Sequence, residues 1–287
     1  EAYIYTTWDI NKRWTLSSGV RSNIPTNSQE YYLSSQFGLK YRLSNKQSFL
    51  LSGGRYHNYT TPDFYSYTYN LLSSYQIALD YSNKIDNTLL KAAVYFKNGT
   101  GKQTEEQTLD SFFVIDKTNT FGIELFLQQD FCKYFRFTFS NSFINQSIEI
   151  EQKKYIGQKD FNYLIKTTLQ YNNPKLFSVA LSYIGRPGTM FNPVIGSTFD
   201  DKTGFYKPDF SRDLFSSQYK NYNRLDLSLN KYFRFKKVAL ITFFSLNNIL
   251  NFKNEREVLY NVDYSAKHFD YFQFRTIYFG AVWQLDY

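Results

Sequence analysis

The stretch "RFTFSNSF", residues 136–143, places Phe137, Phe139 and Phe143 on one parity and Arg136, Thr138, Ser140 and Ser142 on the other. "RLDLSLN", residues 224–230, repeats the pattern, with Leu225, Leu227 and Leu229 against Arg224, Asp226, Ser228 and Asn230. Side chains along a strand alternate between its faces, so this period of two means a β-strand with two chemically different sides. What lies against each side depends on how many such strands there are and how they are joined.

Period two and turn residues mark about thirteen strands and almost no helical periodicity. They span 2–9, 14–22, 31–42, 47–58, 70–82, 88–98, 118–130, 133–146, 160–172, 176–187, 220–234, 237–250 and 273–287. The connections alternate in length. Tight ones fall at "INK" near 11, "SNK" at 44–46, "NKID" at 83–86, "DFCK" at 130–133, "NNPK" at 172–175 and "FKK" at 235–237. Long polar ones fall at 23–30, 59–69, 99–117, 147–159, 188–219 and 251–272. Short turns on one rim and long loops on the other are the pattern of an outer-membrane β-barrel, with short turns periplasmic and long loops extracellular. A soluble sandwich has no such strict alternation.

The faces agree with a barrel wall. One parity is apolar: Leu33, Phe37, Leu39 and Tyr41, then Phe121, Ile123, Leu125 and Leu127, then Ile277, Phe279, Ala281, Trp283 and Leu285. The other carries Gln36, Lys40 and Arg42, then Thr120, Glu124 and Gln128, then Thr276, Gln284 and Asp286. A dry core does not accept such charges without partners, so the polar face meets a wet or plugged lumen and Phe137 and Phe139 meet lipid. Aromatic side chains also gather toward strand ends, as at Trp8, Trp14, Tyr134, Tyr232 and Phe233, where an amphipathic ring suits the headgroup level.

Composition supports mixed solvents. The 287 residues include 27 tyrosines and 29 phenylalanines, yet the mean hydropathy is −0.48. The longest apolar runs, such as "VALITFF" at 238–244, fall far below the ~20 residues of a membrane-spanning helix. One cysteine, Cys132, excludes a disulfide framework and reads as a small turn residue; with only His57 and His268 besides, a Cys/His metal cage lacks ligands. The net charge of +8 is scattered rather than gathered on a helix or patch, which argues against nucleic acid. The opening "EAYIYTTWDINKRW" has no signal-peptide core and starts within a strand.

No catalytic constellation is present, so no enzyme, cofactor or metal site is expected. Neither histidine sits in a Ser/His/Asp or His-x-x-x-His arrangement. Glu105, Glu106, Glu149 and Glu151 fall on expected loops and read as solvated carboxylates. Gly53 and Gly54 in "LSGGRY" precede no helix and read as a bend or bulge rather than a phosphate loop. "NYT", "NGT" and "NQS" match glycosylation sequons, which carry no meaning in a bacterial outer membrane.

Several segments in order resemble the C-terminal part of a TonB-dependent outer-membrane transporter barrel. "AYIYTTWDINKRWTLSSGVR" is similar to a strand–turn–strand unit ending in Gly and Arg, and "FGLKYRLSNKQSFLLSGGRYHN" to the next hairpin. "NTFGIELFLQQDFCKYFRFTFSNSF" resembles the later G-x-E hairpin, and "YIGRPGTMFNPV" the Gly-Arg-Pro element opening a long extracellular loop. "NRLDLSLNKYFRF" with "FFSLNNILNFKN" resembles the closing R-x-D hairpin and its Asn-rich end, before a last strand finishing on Tyr287. The resemblance implies that 1–287 is one part of a barrel of about 22 strands, with the plug domain and the remaining strands upstream of Glu1.

What the resemblance implies for function is energy-coupled uptake across the outer membrane of a Gram-negative bacterium. The partners implied are outer-membrane lipid and lipopolysaccharide, the plug, a TonB-type energy-coupling protein and a small-molecule ligand, with a ferric chelate ahead of cobalamin-like compounds, glycans and peptides. The rival reading is a non-transporting barrel that anchors a surface or secretion complex. For ligand binding at the lumen or mouth the candidates are Arg186 and Arg224, which flank the 188–219 loop on the inner parity, and Tyr206, Arg212 and Tyr219 within it. Guanidinium groups beside aromatic rings suit an anionic chelate. Alternatively, these arginines pair with Asp209, Asp213 or plug carboxylates and serve structure alone.

Overall fold

The structure, a computed structural model, describes residues 1–23, 30–60, 70–108, 111–158, 160–235 and 238–285; the side chains of 103–108, 111–113, 284 and 285 are outside that description. The expected connections at 23–30 and 59–69, the centre of the "FKK" turn, and the readings of Glu105, Glu106, Gln284, Leu285, Asp286 and Tyr287 therefore lie largely or wholly outside the described residues. Among those described, no helix is long and apolar enough to cross a membrane.

The chain builds β1 (Ala2–Asp9), β2 (Trp14–Asn23), β3 (Tyr32–Arg42), β4 (Gln47–Tyr59), β5 (Leu71–Ile85), β6 (Thr88–Thr108), β7 (Ser111–Phe131), β8 (Phe135–Ile150), β9 (Lys153–Ile156) and β10 (Phe161–Asn173). It continues with β11 (Phe177–Arg186), β12 (Met190–Phe191), β13 (Val194–Asp200), β14 (Phe205–Phe210), β15 (Ser217–Gln218), β16 (Tyr222–Arg234), β17 (Val238–Asn247), β18 (Glu255–Tyr260), β19 (Lys267–Tyr271) and β20 (Thr276–Leu285). One antiparallel sheet takes 14 strands in the order β1-β2-β3-β4-β5-β6-β7-β8-β10-β11-β16-β17-β20, with β9 attached to β8. Those on the main path match the thirteen strands expected from periodicity. Small sheets pair β12 with β15, β13 with β14 and β18 with β19.

Two compact units divide the chain. The first holds Glu1–Ile85, Leu90–Glu124 and Phe143–Asp160. Its ladder aligns Leu16 with Leu39, Leu39 with Leu51 and Leu51 with Leu79 on one face. Trp14 meets the Tyr41 ring at 4.5 Å and Phe49 meets Tyr81 at 5.0 Å. The opposite face aligns Gln36, Gly54 and Gln76. Phe37 is 46% exposed and Ile77 50%, so among the described residues this apolar face has no protein core against it; lipid is its natural solvent.

Gly53 and Gly54 sit in an unbroken register, not at the expected bulge. A Cβ on Gly54 would meet the Ser35 carbonyl, and one on Gly53 would lie 2.8 Å from the Gln76 carbonyl, so close approach of neighbouring backbones requires them.

The second unit holds Asp86–Leu89, Leu125–Ser142 and Phe161–Tyr287. Its apolar rows run Leu181–Leu227–Leu246–Ile277 and Val179–Leu229–Phe244–Phe279, and Phe279 is 82% exposed. The other face starts polar, with Ser182 opposite Asp226, but turns apolar along Tyr232–Ile241–Val282. The polar parity expected of the last strand thus holds at Thr276 and fails at Tyr278 and Val282, while Gly280 leaves room for the Phe243 ring.

The short turns are made locally. Asn11 Oδ1 accepts the amides of Arg13 (2.8 Å) and Trp14 (3.0 Å), and Ser44 Oγ accepts those of Lys46 and Gln47. Asp86 (φ 48°) and Cys132 (φ 56°) take the left-handed conformation in their turns. The long connections are not the irregular loops expected. β6 and β7 run 21 residues each, well past the ~9–11 of a tilted membrane strand. β8 turns at Glu151 and Gln152 into β9, so Glu149 is a strand residue opposite Lys154. The segments 188–219 and 251–272 fold into the small sheets. A backbone that leaves the main ladder still carries unpaired donors and acceptors, and a hairpin satisfies them within a few residues.

Candidate functional site

The candidate site is the end of the second unit where β11 meets β16. Pairing of Ile184 with Arg224 and of Arg186 with Tyr222 sets both arginines on one face, two residues apart along the ladder. Gly188 begins the connection that follows. A Cβ there would meet the Tyr219 carbonyl, so only glycine allows the two ends of this segment to approach.

Arg186 is half-buried between two rings, with its guanidinium 4.9 Å from the Tyr222 centroid and 5.3 Å from that of Phe161. It donates one hydrogen bond, to the Pro187 carbonyl at 3.0 Å. Among the described residues it has no carboxylate partner. Arg224 differs. Its Nε donates to Asp226 Oδ1 at 2.8 Å, the residue two further along its own strand, and the same oxygen accepts the Asn248 amide. Among the described residues neither Asp209 nor Asp213 pairs with an arginine: Asp209 accepts Thr198 Oγ1 and Asp213 lies in an exposed bend.

The three residues within the 188–219 segment do not converge on these arginines. Tyr219 stacks on Phe191 at 4.3 Å and meets the Phe269 edge at 6.1 Å. Its hydroxyl accepts the Val258 amide at 3.2 Å, and burial pushes this phenol above its ordinary value. It pins one hairpin to another. Tyr206 lies on β14, in edge contact with Phe199 at 5.0 Å, and Arg212 is exposed just beyond that strand. Among the described residues, no hydrogen bond, ion pair or ring contact joins either to Arg186 or Arg224.

An asparagine network missed in the candidate set holds the rim. Asn248, 1% exposed, donates from Nδ2 to the carbonyls of Phe252 (2.9 Å) and Gln273 (3.3 Å), and its Oδ1 accepts the Phe252 amide at 2.9 Å. Asn254 pairs with the Asn223 backbone as a strand would, accepting its N–H at 2.9 Å and donating to its carbonyl at 2.8 Å. The buried Glu255 carboxylate takes the Lys220 amide at 2.9 Å and its ammonium at 3.2 Å. Val194 N–H donates to Tyr260 Oη and Ser197 Oγ to the Asp263 carbonyl, tying β13–β14 to the β18–β19 hairpin. In that hairpin Arg256 bridges Glu257 and Asp270, and its guanidinium is held above its usual range by the Glu257 hydrogen bond first and the Asp270 charge second. The Asn-rich "NNILNFKNE" was the available signal.

No protein-family model and no curated protein matches this sequence. Solved structures do match. The ferric yersiniabactin uptake receptor FyuA from Yersinia pestis superimposes with a TM-score of 0.64 at 14% identity, over 99% of this chain and 45% of that one. The fold is that of part of the β-barrel wall in these receptors. The ferric-catecholate import receptor Fiu from K12 E. coli gives 0.63 at 12% identity, over 97% and 43%. The pyoverdine outer membrane receptor FpvA from Pseudomonas aeruginosa PAO1 gives 0.60 at 12%, over 99% and 41%. This chain spans less than half the length of the receptors it matches.

Proposed function

We propose that this chain is the C-terminal wall of a TonB-dependent outer-membrane importer whose ligand is an anionic ferric chelate. The observation that carries the ligand class is Arg186, caged by Phe161 and Tyr222 without a counter-ion among the described residues. A guanidinium so placed, with one donor used on the Pro187 carbonyl, keeps its other donors for carboxylate or catecholate oxygens and has its faces already stacked. Arg224, neutralised by Asp226, positions the strand end instead. Tyr206 and Arg212, exposed on and after the β13–β14 hairpin, are candidates for first contact from the medium. The chain's barrel neighbours support the transport reading. In it, the short turns near 11, 45, 85, 131, 173 and 236 and the C-terminus are periplasmic, the hairpins extracellular, and the plug, the other strands and the energy-coupling contact lie outside 1–287.

The test is ferric-chelate binding to the full-length protein, followed by fluorescence quenching. Arg186→Ala weakens binding about tenfold to a hundredfold, the worth of one charge-assisted hydrogen bond, and leaves heat-modifiable folding intact. A folded Arg186→Ala protein with unchanged affinity removes this residue from the site. Uptake by whole cells that persists after collapse of the inner-membrane proton gradient overturns energy coupling.

A further inference from the structure

The apolar face of the first unit ends in cations. Arg55 on β4 pairs with Ser35 on β3 and Tyr75 on β5, on the parity that carries Phe37, Leu39, Leu51, Ile77 and Leu79. Its guanidinium lies 5.3 Å from the Tyr75 centroid, and its Nε donates to Ser73 Oγ at 3.4 Å. Arg55 and Tyr75 are both exposed. Among the described residues Arg55 has no carboxylate partner.

The next two strands continue this boundary. A Cβ on Gly101 would lie 2.9 Å from Leu72 Cδ2, so Gly101 shares the face opposite Tyr75, while Asn98 and Lys102 share the Tyr75 face. Asn98 Nδ2 donates to Asn119 Oδ1, which sets Asn119 and Lys117 of β7 on that face too. Along β6 the parity runs Phe96, Asn98, Thr100, Lys102, and along β7, read backwards, Phe121, Asn119, Lys117. Arg55, Lys102 and Lys117 thus lie beyond Leu51, Phe96 and Phe121 toward the same end of the sheet. Among the described residues they are the three charged side chains of β3 to β7 on this parity, and no ion pair holds any of them. The opposite parity mixes signs, with Asp80, Asp116 and Glu124 among its lysines.

We propose that this boundary binds the phosphate of an outer-leaflet lipid, with Arg55 as its stacked contact and Lys102 and Lys117 as neighbouring charges. A cation at the edge of an apolar face keeps its stem on the hydrocarbon and its head among anionic headgroups. The Tyr75 ring fixes the guanidinium plane, and the Arg55 donors not used on Ser73 match a phosphate in pairs. A neutral headgroup supplies no counter-charge to three cations. The inference rests on the barrel-wall reading and needs neither Arg186 nor a chelate.

The test takes the full-length protein in detergent, with diphosphoryl lipid A and the same lipid stripped of both phosphates as probes, and reads bound lipid by native mass spectrometry. The phosphorylated lipid is expected to bind at least about tenfold more tightly, and Arg55→Gln/Lys102→Gln/Lys117→Gln to lose that margin. Equal binding of the two lipids by the wild type overturns the proposal, as does a triple variant that keeps the full margin. Should the triple variant fail to assemble, two single variants decide. Arg55→Gln is expected to weaken the phosphorylated lipid about fivefold, and Lys40→Gln, on the opposite parity, to leave it unchanged; equal losses overturn the site. Heat-modifiability separates the two readings. A heat-modifiable barrel with no phosphate preference sinks this surface alone, whereas a protein with no heat-modifiable form sinks the barrel wall and this surface with it.

Discussion

Asn248 is the residue whose loss should most damage the rim. Its amide satisfies the N–H and C=O of Phe252 and the C=O of Gln273, and its own backbone sits at φ 50°. Asn248→Ala removes all three bonds. Gln273 is exposed and recovers a water, which leaves two backbone groups unpaired at about 1–3 kcal/mol each. The left-handed backbone adds about 1 kcal/mol for a residue with a Cβ and no local hydrogen bond. The expected cost is about 3–7 kcal/mol in the urea unfolding of the full-length protein, followed by tryptophan fluorescence. Asn248→Gly loses the same bonds without the φ penalty and should be about 1 kcal/mol less harmful. Asn248→Asp keeps the acceptor for Phe252 N–H but turns a carboxylate toward two carbonyls, so it should do no better than alanine. Ala and Gly variants both within about 0.5 kcal/mol of wild type, inside the scatter of ordinary surface changes, would refute the idea that this amide holds the turn. Equal harm from both would refute the backbone share of it.

Leu227→Arg on the apolar row should cost about 2–4 kcal/mol near the bilayer midplane, while Ser228→Arg on the other face is tolerated; equal heat-modifiability of the two proteins counts against the lipid face. Asp263, at the tip of β18–β19, is held below the usual carboxylate range by the Ser265 hydroxyl first and the Ser265 amide second. Because its folded pKa is depressed, its contribution to the turn is present above the unfolded value of about 3.9 and lost as pH falls through the folded one. Carboxyl NMR of the wild type should show the low midpoint, and Ser265→Ala should move it upward; an unmoved midpoint sinks the assignment. For orientation, a thiol from Lys202→Cys should label from outside intact cells and one from Asn45→Cys should not. The reverse pattern inverts the topology.

The sequence by itself determined the strands and their faces. Side-chain alternation is a property of one strand, so Leu225, Leu227 and Leu229 announce an apolar side whatever their neighbours are. The tight turns were equally legible, since Asn11 and Ser44 bond to amides two or three residues away. The tertiary structure decided everything that depends on a partner far along the chain. Whether 188–219 is loop or hairpin depends on where its backbone groups find partners. Whether Gly53 and Gly54 mark a bulge depends on how closely Ser35 and Gln76 approach. Of the five candidate residues, Arg186 and Arg224 share a face as their parity required. Their charge states of pairing diverged, because Asp226 lies two residues from Arg224 on the same face while Phe161 and Tyr222 reach Arg186 only across the ladder. A period of two fixes which way a side chain points, and only the neighbouring strands fix what it meets there.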